Sequence, residues 1–432
     1  MDAGTADAVA PSFTGDGAAR PMLASAAAHP IRAGHSLDEE SFRELRTKME
    51  LSHFKWDVQI GDVTGLAPFP LLVGHATWRH LAGLAEQLTA ETLAVETELL
   101  ERPDLHRTLG LPRSLRALFA RPGVATAAAA RVMRFDFHYT TDGWRISEVN
   151  SDVPGGYTEA TSFTRLMAER TPGARPAGDP TQAVVDALVR QASTGGAVAL
   201  TCAPGHMEDH QVVGYLAARL RERGLAAPVV SPLHLRWSDG TANVDSGWWS
   251  GRVDAIVRFY QVEWLAKLPR ALGWEHLFVG GVTPVANPGT AAFSESKRLP
   301  LIWDRLRAPV PTWRRLLPET RPLRAAPWAA DDGWLIKSAF SNTGDTVSVR
   351  SAMTTAAWRR RAWTARLASG QWIAQRRFDV VPVFHEGEPL SPCIGVYTVN
   401  GAAAGAYARI ASGSAIIDGT ARDAALLLSE DA

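Results

Sequence analysis

Between residues 77 and 101 apolar side chains recur every three or four positions, with Leu81, Leu84, Leu88, Leu93 and Leu99 on one side. That spacing predicts a long amphipathic helix packed along one stripe. Similar patterns predict helices over 36–51, 158–169, 209–223, 293–306 and 352–368, the first opened by a capping-box-like Ser36-Leu-Asp-Glu39. Shorter runs follow a period of two. Arg134-Phe135-Asp136-Phe137-His138 and Glu148-Val149-Asn150 read as adjacent strands joined at Asp142-Gly143, a turn signal. Short buried strands near 197–201, 229–230, 253–259 and 282–286 alternate with helical patterns, which predicts a small parallel α/β unit over 195–290. In the last third, 334–337, 346–349, 372–376, 392–399 and 403–410 read as strands, the last two joined by Asn400-Gly401. The expected fold class is mixed α+β and α/β. Its organisation is a disordered tail over 1–35, a helical region over 36–130, a hairpin and helix over 131–170, a linker at 172–180, the α/β unit, and further β-rich lobes over 291–432.

Composition narrows the function. The 432 residues carry 45 Lys plus Arg against 45 Asp plus Glu, so nothing marks a surface for nucleic acid. No apolar run approaches the ~18–20 residues of a membrane helix, and no secretory signal is visible. Two cysteines, Cys202 and Cys393, give no disulfide framework and fit a reducing cytoplasm. Most of the 15 tryptophans read as packing residues. The cluster His206-Met-Glu208-Asp209-His210 lacks the zincin pattern and reads as a helix cap, or a substrate-facing loop at the carboxyl end of a strand, before it reads as a zinc site.

Candidate chemistry concentrates in the hairpin. Side chains alternate along a strand, so Asp136 and His138 share one face and Glu148 and Asn150 share another. Pairing the strands brings two carboxylates and an amide oxygen together, hard ligands suited to Mg²⁺. Arg134 lies beside them and Arg409 near the end of a late strand, both placed to meet developing negative charge. Lys297, expected on a helix, and Lys337, at the end of a strand before the small-residue loop 338–344 with Ser341 and Gly344, suit phosphates. Gln375 is placed to meet an adenine edge. Ser151, Asp152, Gly155 and Gly156 follow the metal ligands and read as a substrate-side loop.

In this order the motifs resemble the circularly permuted ATP-grasp ligases of the glutathionylspermidine synthase type, from about Trp56 to the end. An Arg-Phe-Asp-Phe strand precedes Glu-x-Asn. Lys297 precedes Leu-Pro-Leu-Ile-Trp, Lys337 heads a loop, Gln375 ends a strand, and Thr398-Val399-Asn400-Gly401 precedes Arg409. The resemblance implies ATP and Mg²⁺, two ions, held by Asp136, Glu148 and Asn150. It implies ATP contacts from Lys297, Lys337, Gln375, Ser341 and Gly344, and catalytic roles for Arg134 and Arg409. The reaction would activate a small-molecule or peptide carboxylate as an acyl phosphate for attack by an amine. Two departures stand out. Asn342 occupies the loop position where the family has an arginine, which bears on substrate choice, and the amidase domain of bifunctional members has no counterpart before Trp56. A non-catalytic nucleotide-binding protein and a kinase that stops at the acyl phosphate remain as other readings.

Overall fold

A computed structural model describes residues 29–60, 63–340, 347–413, 417 and 419–430. Ser341, Asn342 and Gly344, with most of the tail over 1–28, lie outside the described residues. The backbone of the site is a six-stranded antiparallel sheet in the spatial order Arg422–Ala424, Ala402–Ser412, Glu388–Val399, Val132–Thr140 and Gly143–Asn150, with Val383–His385 paired to Glu388–Val399. Its period-two pattern sorts chemistry from core. Met133, Phe135 and Phe137 are fully buried in the main core with Leu81, Leu84, Leu88 and Leu99 of helix His75–Leu100. The alternate residues Arg134, Asp136 and His138 line a cleft instead. Each buried large apolar side chain contributes on the order of 1.5–3 kcal/mol. Polar pins fix the helix to its neighbours: Thr89 Oγ1 lies 2.8 Å from Thr398 Oγ1, and Trp313 Nε1 donates to Thr92 Oγ1 at 3.0 Å.

A second, three-stranded antiparallel sheet closes over the cleft, in the order Thr320–Pro322, Trp372–Arg376, Trp334–Ser338. It has its own core, in which Trp328, Trp334, Trp358 and Trp372 pack with Ile336 and Ala362 against helix Thr355–Leu367. Much of the tryptophan content is thus packing, as the sequence suggests. Val285–Ala286, Ala255–Phe259, Val198–Cys202 and Val229–Val230 form a separate parallel sheet in that order.

Several local expectations change. Ile31–Ala33, within the stretch expected to be a disordered tail, is a strand paired with Leu71–Val73. Leu71–Val73 pairs in turn with Leu426–Ser429, and that strand with Ala174–Pro176, inside the stretch read as a linker. Three-residue strands show no periodicity of their own; partners far away in sequence define them. The cap of the first helix, Glu39–Ser52, is Asp38, which accepts from Ser41 N, while Ser36 reaches His385. An unforeseen meander, Leu235–Ser238, Thr241–Asp245 and Ser250–Arg252, turns at Asp239-Gly240 with both residues at positive φ, a turn signal present in the sequence. The helix expected over 293–306 is two short pieces, Ala291–Glu295 and the 3₁₀ segment Leu299–Arg305, separated by an extended Ser296. Pro300 supplies no N–H, so it fits at the start of the second piece and not inside one continuous helix. Lys297 therefore sits in the break, its backbone N–H donating to Ala339 O at 2.9 Å.

Candidate functional site

The hairpin turns over Thr141-Asp142, with Gly143 at φ +84° and Thr140 Oγ1 donating to Gly143 O at 2.7 Å. Asp136 then faces Glu148, and Arg134 faces Asn150. Between Asp136 and Phe137 the register shifts, leaving Ser147 as the extra residue of a bulge. Bulges re-aim side chains and free backbone groups, and here the freed Ser147 carbonyl accepts Lys337 Nζ at 3.0 Å. Lys337 crosses from the second sheet, so the bulge joins the two walls of the cleft. No periodicity argument could have found Ser147.

The cleft has two arms. The larger encloses about 900 Å³ including its mouth, lined by Arg134, Asp136, Glu148, Asn150, Lys337, Gln375 and Arg409 among others. The smaller, about 380 Å³, has a polar end at Glu148, Glu295, Lys297 and Lys337 and an apolar end at Val149, Leu299, Pro300, Trp303, Trp313 and Leu317. Ser147, Glu148, Lys337 and Gln375 border both. These sizes fall in the range of small-molecule sites. The structure thus brings together eight expected residues: Arg134, Asp136, Glu148, Asn150, Lys297, Lys337, Gln375 and Arg409.

The other expected positions have different surroundings. Ser151 is fully buried, its backbone N–H and that of Asp152 donating to Glu295 Oε2 at 2.8 and 3.0 Å. Asp152, also buried, pairs with Arg258 and accepts Val262 N at 2.9 Å. Neither lines the two arms described above. Gly155 and Gly156 stand behind Arg134. Gly155 O accepts from Arg134 Nη1 at 3.1 Å and from Tyr397 Oη, and Gly156, at φ +88°, leaves no room for a Cβ, which would lie 2.6 Å from Tyr397 Oη. Gln375 Nε2 donates to Thr320 Oγ1 at 3.1 Å.

Charges in the cleft neutralise one another. Arg134 holds Asp136 with two parallel bonds, Nε–Oδ1 at 2.8 Å and Nη2–Oδ2 at 3.0 Å, and Asn150 Nδ2 donates to Asp136 Oδ2 at 3.1 Å. Lys297 Nζ lies 3.6 Å from Glu148 Oε2 and 3.8 Å from Glu295 Oε1. Burial works against the Lys297 ammonium, but Glu148 and Glu295 outweigh it and raise its pKa. Burial likewise opposes the Glu148 carboxylate, yet Lys297, Lys337 and Arg134 hold its pKa below the ordinary value. Lys337 is shifted down, chiefly by burial. The donor set of two carboxylates and an amide on facing strands fits a hard divalent cation. Among the described residues there is no cluster of three or more His, Cys, Asp and Glu suited to a metal.

His138, whose shared face with Asp136 is legible in the sequence, lines the larger arm and meets Ser147 Oγ at 3.0 Å. Burial pushes its pKa down to about 4. The unfolded chain therefore binds a proton between about pH 6.5 and 4 that the folded chain refuses, so this group's contribution to stability falls as pH falls through that window. The shift corresponds to about 3 kcal/mol. Asp209, Glu263 and Glu295, with pKa values raised by burial to about 6, 7 and 7, give the opposite slope above their unfolded values. A His138→Gln variant isolates the histidine: its urea-unfolding stability should fall less than that of the parent between pH 7 and 4. Parallel pH dependences would refute a buried neutral His138.

Among the described residues no helix is long and apolar enough to cross a membrane. No curated protein matched the sequence. Among solved structures, a Methylobacillus flagellatus protein provisionally assigned as a gamma-glutamylcysteine synthetase is similar at 12% identity, covering 76% of this chain and 86% of its own, with a TM-score of 0.42. The family profile described as glutathionylspermidine synthase preATP-grasp matches residues 72–425, which include all eight residues gathered in the cleft. With the match extending over most of its length, the chain belongs to the glutathionylspermidine synthase preATP-grasp family.

Proposed function

We propose that the protein is an ATP-dependent carboxylate–amine ligase of circularly permuted ATP-grasp organisation, forming an amide bond through an acyl phosphate. The observation that carries this reading is the two-armed cleft, in which Lys337 from one sheet bonds the bulge at Ser147, beside the Asp136–Glu148 pair of the other. The apolar end of the smaller arm, with Trp303 and Trp313, suits an adenine ring, and Gln375 supplies an amide at the junction. Lys297 and Lys337 then meet the phosphates. In the larger arm Arg134 and Arg409 flank the place where a substrate carboxylate meets the γ-phosphorus. A carboxylate oxygen attacks phosphorus as the bond to ADP breaks. The amine then attacks the acyl carbon, phosphate leaves, and the amine loses a proton. Each step moves negative charge onto oxygens near the two arginines, where prepositioned cations act with little reorganisation. Asp136, Glu148 and the Asn150 amide oxygen would hold Mg²⁺, which when bound neutralises phosphate charge.

The test is ADP release from Mg-ATP against a panel of carboxylates and amines. ADP formed only when one acid and one amine are both present establishes the ligase. ADP formed with the acid alone, at the same rate with or without amine, would replace it with an acyl-phosphate-forming kinase.

A further inference from the structure

Behind Arg409 lies a buried cluster of charges that the reaction scheme does not use. The Lys55 ammonium, its side chain 4% exposed, lies 2.5 Å from Glu159 Oε1 and 3.0 Å from both Asp57 Oδ1 and Asp423 Oδ2. Burial opposes the charged form, but Asp423, Glu159 and Asp57 outweigh it and keep the lysine protonated. Asp423 links this cluster to the cleft. It stands opposite Arg409 in the sheet, and Arg409 Nε lies 3.9 Å from Asp423 Oδ1, an ion pair longer than a hydrogen bond. The Asp423 backbone is anchored as well: its N–H donates to Gly65 O at 2.7 Å, and its carbonyl accepts Ala67 N at 2.8 Å. Lys55, Gly65 and Ala67 all precede residues 72–425, so the family match assigns them nothing.

The two arginine–aspartate pairs of the cleft differ in a way this cluster explains. Arg134 takes both oxygens of Asp136 in two parallel bonds. Such a two-bond pair is the strong arrangement of guanidinium and carboxylate. Asp423 has only one oxygen toward Arg409, because Lys55 holds the other. We propose that Lys55 is a positioning residue for Arg409. By sharing Asp423, it prevents that carboxylate from closing a two-bond pair with Arg409 and keeps the guanidinium on the wall of the larger arm. The catalytic consequence rests on the ligase reading above; the effect on geometry does not.

Crystal structures of the whole protein and of two variants test the geometry. In Lys55→Met, Arg409 should close on Asp423 to about 2.7–2.9 Å. In Lys55→Arg, which keeps the charge, the longer spacing should persist. Kinetics test the consequence, using the acid–amine pair of the panel that gives the parent its fastest ADP release from Mg-ATP. Lys55→Met should lower kcat by ~10-fold or more with KM for ATP little changed, and adding Asp423→Asn, which removes the charge that draws Arg409 away, should restore most of it. A purely structural Lys55 would give neither closure nor rescue. Arg409 unmoved in Lys55→Met, or a double variant no faster than the single one, overturns the proposal. If the parent forms no ADP with any pair, the ligase reading fails, and the Arg409–Asp423 distances still decide whether Lys55 sets the arginine. Should Lys55→Met not fold, Lys55→Met with Glu159→Gln takes its place, since it removes a buried carboxylate left without its cation.

Discussion

Asp152→Asn is expected to destabilise the protein by about 3–5 kcal/mol, the cost of leaving a buried charge without its partner. Asp152 and Arg258 are 2% and 0% exposed at their side chains. Arg258 is fixed further by Asn287 O at 3.0 Å and Tyr260 O at 2.7 Å, so it has no path to water when its carboxylate is removed. The pair also spans a boundary: Asp152 follows the hairpin, Arg258 lies on the α/β strand Ala255–Phe259, and the Val262 N–H donates to Asp152 just beyond that strand. An asparagine keeps the volume and one acceptor oxygen, so the loss isolates the charge. Replacing both partners with apolar residues of similar size, Asp152→Leu with Arg258→Met, should recover much of the stability, because the desolvation cost of both ions disappears with them. Urea unfolding of the single and double variants measures this. If Asp152→Asn unfolds at the parent's urea concentration and instead weakens substrate binding, Asp152 returns to the substrate-side role its sequence position suggested.

The buried pairing of Asp152 with Arg258 depends on partners distant in sequence, unlike the alternation along a single strand. Arg134, Asp136, Glu148 and Asn150 were legible because a strand's alternation is local: two residues apart on one strand means one face, and Asp142-Gly143 marked where the chain reverses. Ser151 and Asp152, next in line, look equally functional, but their burial depends on Glu295 and Arg258, 144 and 106 residues away in sequence. Sequence order carries no trace of such partners. Lys297 was placed in the wrong conformation because the apolar periodicity runs on through 293–306, where the helix itself is broken before Leu299. The bulge at Ser147 lay beyond reach for the same reason as the short strand Ile31–Ala33. Each is defined by its neighbour in the sheet, and the helical or alternating signal on its own strand is unchanged by it.

Arg134→Ala should lower kcat by ~10²–10³-fold, the range seen when one prepositioned donor to developing oxyanion charge is removed. The expectation follows from how the guanidinium is held. Two bonds to Asp136, one to Gly155 O and the Tyr407 ring 5.6 Å away leave it little freedom. Gly395 provides the space, since a Cβ there would lie 2.9 Å from Arg134 Cδ, and Gly156 lets the backbone pass over Tyr397 and Tyr407. Burial opposes the charged form, but Asp136 outweighs it and raises the Arg134 pKa well above its ordinary value. The cation is therefore present at every working pH. Arg134→Lys keeps the charge but loses the planar fork, so it should regain only part of the lost rate. KM for ATP should change far less than kcat in both, because Lys297 and Lys337 are untouched. Asp136 would be left without its main partner in Arg134→Ala, so the comparison needs protein shown to be folded at the assay temperature. Turnover within a few-fold of the parent in folded Arg134→Ala would remove Arg134 from the reaction and leave it as the structural partner of Asp136. A selective fall in kcat, partly restored by lysine, would place its charge at the reacting oxygens.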